Sequence, residues 1–390
     1  MKKILVLSAH PPLYKSKEAG QKVFYDYLRN LNQIYDIYLV TFIKKEEYSW
    51  GFEEGAELCK EVITIETNIA TKIKSILLNP FKPLLLSARI DNQFKDSVKA
   101  LIFKHDFDAV HFEWEQMIAF YPLIQKMKIK TITCHDVISQ MYSRKALYSK
   151  SLKLFYQYQE RLVKDIERET LTEMTTVFTL NQKDSELLEK VNNKIITKEL
   201  KPYFHKEDFT ACKENKNYDL VFFGAMNRIE NEKAVNWFLH DIYPKLKSKR
   251  KNINLLVVGN KPSDKLKIFC EKDKSITLTG FVEDPYQLIR ESKVGIVPLK
   301  LGAGIKIKTL EFMASSIPVV STTVGAEGIN ADESQGLFIK DEPKEFEETI
   351  LWLLSNPELA ESYGYKARSF IGQYYKFEEN YNVLSETYNV

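Results

Sequence analysis

Lys306, Lys308 and Glu311 fall within six residues of one another, just after Gly302 and Gly304, in the stretch VPLKLGAGIKIKTLEFMASSIPVVSTTVGAEG from Val297 to Gly328. An apolar run ends at Pro298, a glycine loop follows, and a helix starting beside Lys306 carries Lys308 and Glu311 before a second apolar run, Pro318 to Ser321. Glycines at a helix start let backbone N–H groups approach phosphate oxygens, and the helix dipole favours an anion there. Lysines in a first turn oppose that dipole, which prefers carboxylates. An external anion at this end removes the conflict. Glu311, one turn on, has the chemistry to accept hydrogen bonds from adjacent sugar hydroxyls, as a carboxylate holds ribose in dinucleotide folds. A surface helix with solvated lysines and a glycine-turn entrance fits the same residues, because a lone GxG is a weak signal.

The first half offers fewer candidates. His135 and Asp136 follow the apolar run Thr131 to Cys134, which puts a histidine at a strand end as a proton relay or a sugar-hydroxyl partner. A core or capping role suits it equally. Gly20 follows the loop Pro11 to Ala19, where a strand gives way to a helix. Glu113 and Glu115, after Ala109 to Phe112, read as helix-start caps and rank below His135. Asn181, after Val177 to Leu180, reads as structural.

The elements that must position these residues alternate. Ile4 to Leu7, a helix from Gly20 to Leu31, Ile37 to Phe42, Ala109 to Phe112, Thr131 to Cys134 and Val177 to Leu180 give the pattern of a doubly wound sheet. The pattern restarts at Asp219 to Phe223, with helix Asn231 to Leu246, Asn254 to Val258, Ile276 to Leu278, helix Pro285 to Glu291 and Val294 to Val297. Two Rossmann-like domains facing across a cleft are therefore expected: 1–205, 206–372, and a terminal helix 373–390 packing back on the first. Polar residues 198–217 read as the linker.

Composition excludes several classes. With 56 basic and 53 acidic residues the net charge is +3, which gives no concentrated field for nucleic acid. Cys59, Cys134, Cys212 and Cys270 form no CxxC pair, so neither a zinc cage nor a disulfide framework is indicated and a reducing cytoplasm fits. MKKILVLSAHPP reads as a first strand and not as a signal peptide. The most apolar stretch, Ile76 to Leu86, is broken by Pro80 and Pro83 and is too short to span a bilayer. Residues 71–104 combine Lys72, Lys74, Lys82, Arg89, Lys95, Lys99 and Lys104 with Ile73, Leu77, Phe81, Leu84 and Leu85. Such a face is either solvated or a peripheral contact with anionic lipid.

The stretch from Val297 to Gly328 resembles the donor-site signature of glycosyltransferase family 4, in the branch reading approximately GxGxxxKxLExMAxxxPVVSTxxGxEG. FFGAMNRIENEKAVNWFLHDIYPKL is similar to that branch's opening of the nucleotide domain, with Gly224, Asn231, Ala234, Trp237 and Phe238 in the matching places. LLVVGNKP, ITLTGFVEDPYQLI and VGIVPL resemble its next strands, so the likeness is dense from Asp219 to Asn356. The resemblance implies a GT-B fold and metal-independent, retaining transfer from a nucleotide diphosphate sugar, UDP-sugar foremost. The acceptor would be a hydroxyl of a glycan, lipid-linked or protein-linked molecule in surface polysaccharide or glycoconjugate synthesis. It implies Glu311 on the nucleotide ribose and Gly304, Ile305, Lys306 and Lys308 at the diphosphate. Phe281 and Val282 would then lie near the base, Gly20 at donor phosphate and acceptor, and Glu327 at the sugar end.

Three positions depart from the wider family. Its first glutamate of an E-x7-E pair is Ala303, and its phosphate-binding arginine and lysine are Ala225 and Glu230. Arg228, Lys306 and Lys308 are then the expected phosphate clamp, with Gly224 also at the donor nucleotide and His135, Lys308 and Glu311 carrying catalysis. No HExxH, strand-end DxD or cysteine pair asks for a metal, and no cofactor beyond the nucleotide sugar is expected. The departures keep a non-catalytic GT-B partner subunit in view; a nucleotide-sugar epimerase is the other alternative.

Overall fold

A computed structural model describes residues 2–16, 18–204, 216–282 and 284–388. The chain divides into two units, Met1–Pro202 with Glu378–Val390, and Tyr203–Phe377. The expected 205/206 boundary, most of the expected linker and Cys212 lie outside the described residues.

The first unit is a parallel sheet of β1 (Lys2–Ser8), β2 (Tyr35–Ile43), β3 (Glu61–Glu66), β4 (Ala109–Glu113), β5 (Ile129–Cys134), β6 (Thr176–Thr179) and β7 (Thr197–Glu199), in the order β3-β2-β1-β4-β5-β6-β7. Central strands buried on both faces read as continuous apolar runs. In β1, Leu5 and Leu7 enter one core with Phe94, Phe112 and Phe120, while Ile4 and Val6 enter the other with Phe24, Leu28 and Tyr35. The two strands that the apolar pattern misses are the edges. EVITIE of β3 buries only Ile65, and TKE of β7 is polar throughout, as suits an edge that must not pair with another chain.

Helix Phe377–Tyr388 closes this unit. Leu384 and Tyr388 are fully buried in the Phe24 core, and Asn380 Nδ2 donates to the Lys201 carbonyl at 2.7 Å.

The second unit is a parallel sheet of β8 (Tyr218–Phe223), β9 (Leu255–Val258), β10 (Ile276–Gly280), β11 (Ser292–Val297), β12 (Val319–Ser321) and β13 (Leu337–Ile339), in the order β10-β9-β8-β11-β12-β13. The single helix expected over 231–246 is instead helix Ile229–Trp237, a π-turn Phe238–Ile242 and helix Tyr243–Lys249. Pro244 explains the break, because it has no N–H to continue the ladder.

In each sheet the strand order reverses beside the first strand, between β1 and β4 and between β8 and β11. Ligands of such sheets bind beyond the strand ends at this point.

Candidate functional sites

In the second unit, the reversal point gathers Gly224, at the tip of β8, with residues that follow β11. Lys308 Nζ donates to Asn231 Oδ1 at 2.6 Å and lies 4.8 Å from the centre of the Phe222 ring. Asn231 Nδ2 in turn donates to the Ala225 carbonyl at 2.8 Å. Glycine is needed at 224: a Cβ there would sit 2.5 Å from Lys308 Nζ and 2.9 Å from Asn231 Nδ2. Gly259 is needed behind it, since a Cβ at that position would meet the Gly224 carbonyl oxygen at 1.9 Å.

Burial pushes the Lys308 amine down to about 7, Arg228 adds to the effect, and Glu230 and Glu311 only partly oppose it. Among the described residues Lys308 has no ion-pair partner. A desolvated cation without a carboxylate is costly, and an anion placed against it would lift the penalty. Arg228, which precedes helix Ile229–Trp237, lies 4.0 Å from Glu230.

Helix Ile307–Ala314 starts without a side-chain cap, behind Gly302 at φ +119° and Gly304 at φ +68°. Its first-turn N–H groups therefore head a glycine loop at the strand end, a geometry suited to an anion. Lys306 does not reach outward. It is buried, donates to the Ala303 carbonyl at 2.9 Å and to the Gly304 carbonyl, and lies 3.5 Å from Glu327. Lys306 and Glu327 are thus brought together as an internal pair that fixes the loop. Thr309 Oγ1 donates to the Gly325 carbonyl at 2.7 Å and ties the same loop to the helix.

Glu311 is buried and accepts a hydrogen bond from Tyr286 Oη at 2.8 Å. Tyr286 lies on helix Pro285–Arg290, just beyond Phe281 and Val282, so its hydroxyl joins Glu311 to that segment. Phe281 is 55% exposed. Ile305 is buried beneath the loop. Tyr286 was not singled out by the sequence; its phenol carries no spacing signal.

Gly20 and His135 belong to the first unit, where the structure brings them together. A Cβ at Gly20 would lie 3.4 Å from His135 Nδ1 and from Trp114 Cζ2. The His135 ring stacks on Trp114 at 4.5 Å and 10°. Trp114 holds φ +72°, a conformation costing a side chain of order 1–3 kcal/mol, at the end of β4.

Glu113 is not a helix cap, contrary to expectation. It ends β4 fully buried, with Oε1 2.5 Å from His135 Nε2 and Oε2 2.8 Å from His111 Nε2. Burial alone would raise its carboxyl, but hydrogen bonds and charge from His111 and His135 outweigh burial and hold it below the usual range. The carboxylate therefore accepts from both Nε2–H groups, which leaves His135 Nδ1 facing Gly20. The chain continues from His111 Nδ1 to Thr131 Oγ1 at 2.9 Å, Tyr388 Oη at 2.7 Å and Tyr27 Oη at 3.1 Å. The available sequence signal was His111 and Glu113 two apart in a buried strand, hence on one face.

Glu115 opens the 3₁₀ stretch Glu115–Leu123, yet its carboxyl turns to the Ile138 N–H at 3.4 Å. Burial and the neighbouring Glu167 push it well up, so it is no ordinary cap. Asn181 does cap helix Gln182–Val191, accepting from the Asp184 N–H at 3.0 Å.

Residues 217–356, which contain the Lys308 site, match the family described as Glycosyl transferases group 1. Sucrose-phosphate synthase from Thermosynechococcus elongatus superposes with a TM-score of 0.75 at 14% identity, covering 100% of this chain and 98% of that one. Anabaena HepE, solved with UDP-glucose, superposes with a TM-score of 0.64 at 13% identity over 99% of each chain. The chain has the GT-B glycosyltransferase fold. An uncharacterized 44.6 kDa protein in the cps region of Klebsiella pneumoniae is 22% identical, over 96% of this chain and 97% of its own length.

Proposed function

We propose that this GT-B chain is a retaining glycosyltransferase of family 4 acting in the cytoplasm. It takes a sugar from a nucleotide diphosphate sugar, UDP-sugar in the first instance, and passes it to a hydroxyl of a glycan, lipid-linked or protein-linked acceptor. The carrying observation is Lys308: a desolvated amine without an ion-pair partner among the described residues, beside Gly224 at the reversal point of a group 1 glycosyl transferase domain. The UDP-glucose bound to HepE supports the donor class, and the cps-region relative supports a surface-polysaccharide setting.

In this reading Lys308, Arg228 and the backbone around Gly304 and Ile305 hold the diphosphate. Glu311 accepts from the ribose, and Phe281 and Val282 flank the base. Lys306 acts through its backbone and through Glu327, shaping the sugar end of the loop instead of contributing an outward charge. Gly20 leaves room for sugar or acceptor beside His135 Nδ1. The acceptor oxygen bonds to the anomeric carbon as the bond to the diphosphate breaks, and the acceptor proton passes to the departing phosphate on the same face. Lys308 and the helix start stabilise the charge that develops there. The positive charge that a metal would otherwise supply comes from these groups.

Release of nucleoside diphosphate from a panel of nucleotide sugars, with the product anomer assigned by NMR, tests the proposal. Turnover with the donor's anomeric configuration kept supports it. An inverted product overturns retention. Nucleotide binding without turnover on any acceptor favours the partner-subunit reading, for which Ala303, Ala225 and Glu230 are the motive.

A further inference from the structure

The lysine-rich stretch 71–104 is not one surface. Helix Asn92–Lys104 buries Phe94, Val98 and Leu101 in the core, and its Lys104 pairs with Glu61 at 2.9 Å. Arg89 is buried too. Helix Ile69–Leu78 is built the other way round: its only buried residue is Ser75. Ile69 is 78% exposed, Leu77 73% and Phe81, just past the helix, 84%. Ile69, Ile73 and Leu77 recur at every fourth residue and so form one outward stripe.

A second apolar cluster lies where helix Ile138–Tyr148 turns into helix Lys153–Thr170, with Leu147 78% and Leu154 81% exposed. The two clusters share a foundation. Leu84 N donates to Gln159 Oε1 at 2.8 Å, Leu85 packs on Ile138, Tyr142 and Val163, and Ser75 Oγ donates to the Ser87 carbonyl at 2.6 Å.

Neither segment contains a carboxylate. Residues 68–90 and 137–159 hold seven lysines and arginines besides the buried Arg89, and no Asp or Glu, where the chain's 53 acidic residues in 390 would place about six in that length. We propose that this face of the first unit docks on an anionic bilayer, its apolar side chains entering the headgroup boundary and its lysines meeting anionic headgroups. A second copy of the chain fits less well, because a two-fold contact would set the same cations against themselves. The inference stands apart from glycosyl transfer, since docking requires no donor.

The test is co-sedimentation of the full chain, without nucleotide, with phosphatidylcholine vesicles and with phosphatidylcholine vesicles carrying phosphatidylglycerol. Binding to the anionic vesicles alone, weakened by salt, is the expected result. The double variants Leu77→Ser/Phe81→Ser and Lys74→Glu/Lys82→Glu should each lower vesicle affinity on the order of tenfold. Their melting midpoints should stay put because the side chains are exposed, and Lys366→Glu on helix Pro357–Tyr374 should bind as the parent does. Equal binding to both vesicle types, no binding, or binding unchanged in both double variants overturns the proposal. So does a dimer that Leu77→Ser/Phe81→Ser dissolves in the absence of any vesicle affinity, which would assign the patch to self-association.

Discussion

The two strand-end clusters occupy equivalent places in their sheets and solve opposite electrostatic problems. In the first unit, Glu113 lies between two histidines, and the hydrogen-bond chain runs unbroken from Tyr27 to His135. In the second, Lys308 is desolvated, leans on one amide oxygen and carries a depressed pKa. A satisfied network positions a group; an unsatisfied charge awaits one. The first cluster is complete without a ligand, whereas the second is complete only when an anion arrives.

The sharpest break of this contrast is Lys308→Met. Nucleoside diphosphate affinity should fall about a hundredfold or more, since a charge-assisted contact in a dry site is removed. Stability should move the other way. The folded-state value of about 7 lies below the roughly 10.4 of an unfolded lysine, so the unfolded chain holds more protons between those limits. The parent's melting midpoint should therefore rise with pH from about 7 towards about 10, and Lys308→Met should remove that slope while being more stable near neutrality.

Glu113→Gln should act on the other cluster. An amide cannot accept from both histidines without presenting a donor to one of them, so a loss of about 1–3 kcal/mol is expected in chemical unfolding. Turnover should fall while nucleotide affinity holds, which separates the two clusters directly. Gly224→Ala should cost about tenfold in nucleotide affinity and about 1–3 kcal/mol of stability, because an L side chain is strained at φ +156° and its Cβ meets Lys308 Nζ at 2.5 Å. Tyr388→Phe is the mildest: about 1 kcal/mol of stability from the lost hydroxyl, with nucleotide binding unchanged.

How much of this was legible in the sequence follows from the physics of each element. Central strands declared themselves because burial on both faces forces apolar runs, and the glycine-lysine-glutamate spacing after β11 is local enough to read directly. The edge strands β3 and β7 are polar because they are edges, so the same rule hides them. The inward turn of Lys306 depends on Glu327, 21 residues on, and on carbonyls whose aim a sequence does not reveal. Glu113 was undervalued for a related reason: its partners are His111 on β4 and His135 just beyond β5, and only the register of the two strands sets them around one carboxylate. Tyr388 lies 257 residues from Thr131, and no local pattern links them.

The central claim is that the Lys308 site is an anion site waiting for a diphosphate. Calorimetric titration with UDP, GDP, ADP, TDP and CMP at pH 8, in two buffers of different ionisation enthalpy, tests it most directly. One diphosphate should bind selectively and take up about one proton as Lys308 recharges, and both the binding and the buffer dependence should vanish in Lys308→Met, with Glu311→Ala weakening the nucleotide. Binding of no nucleotide, or binding with the same heat in both buffers and undiminished in Lys308→Met, would contradict the account.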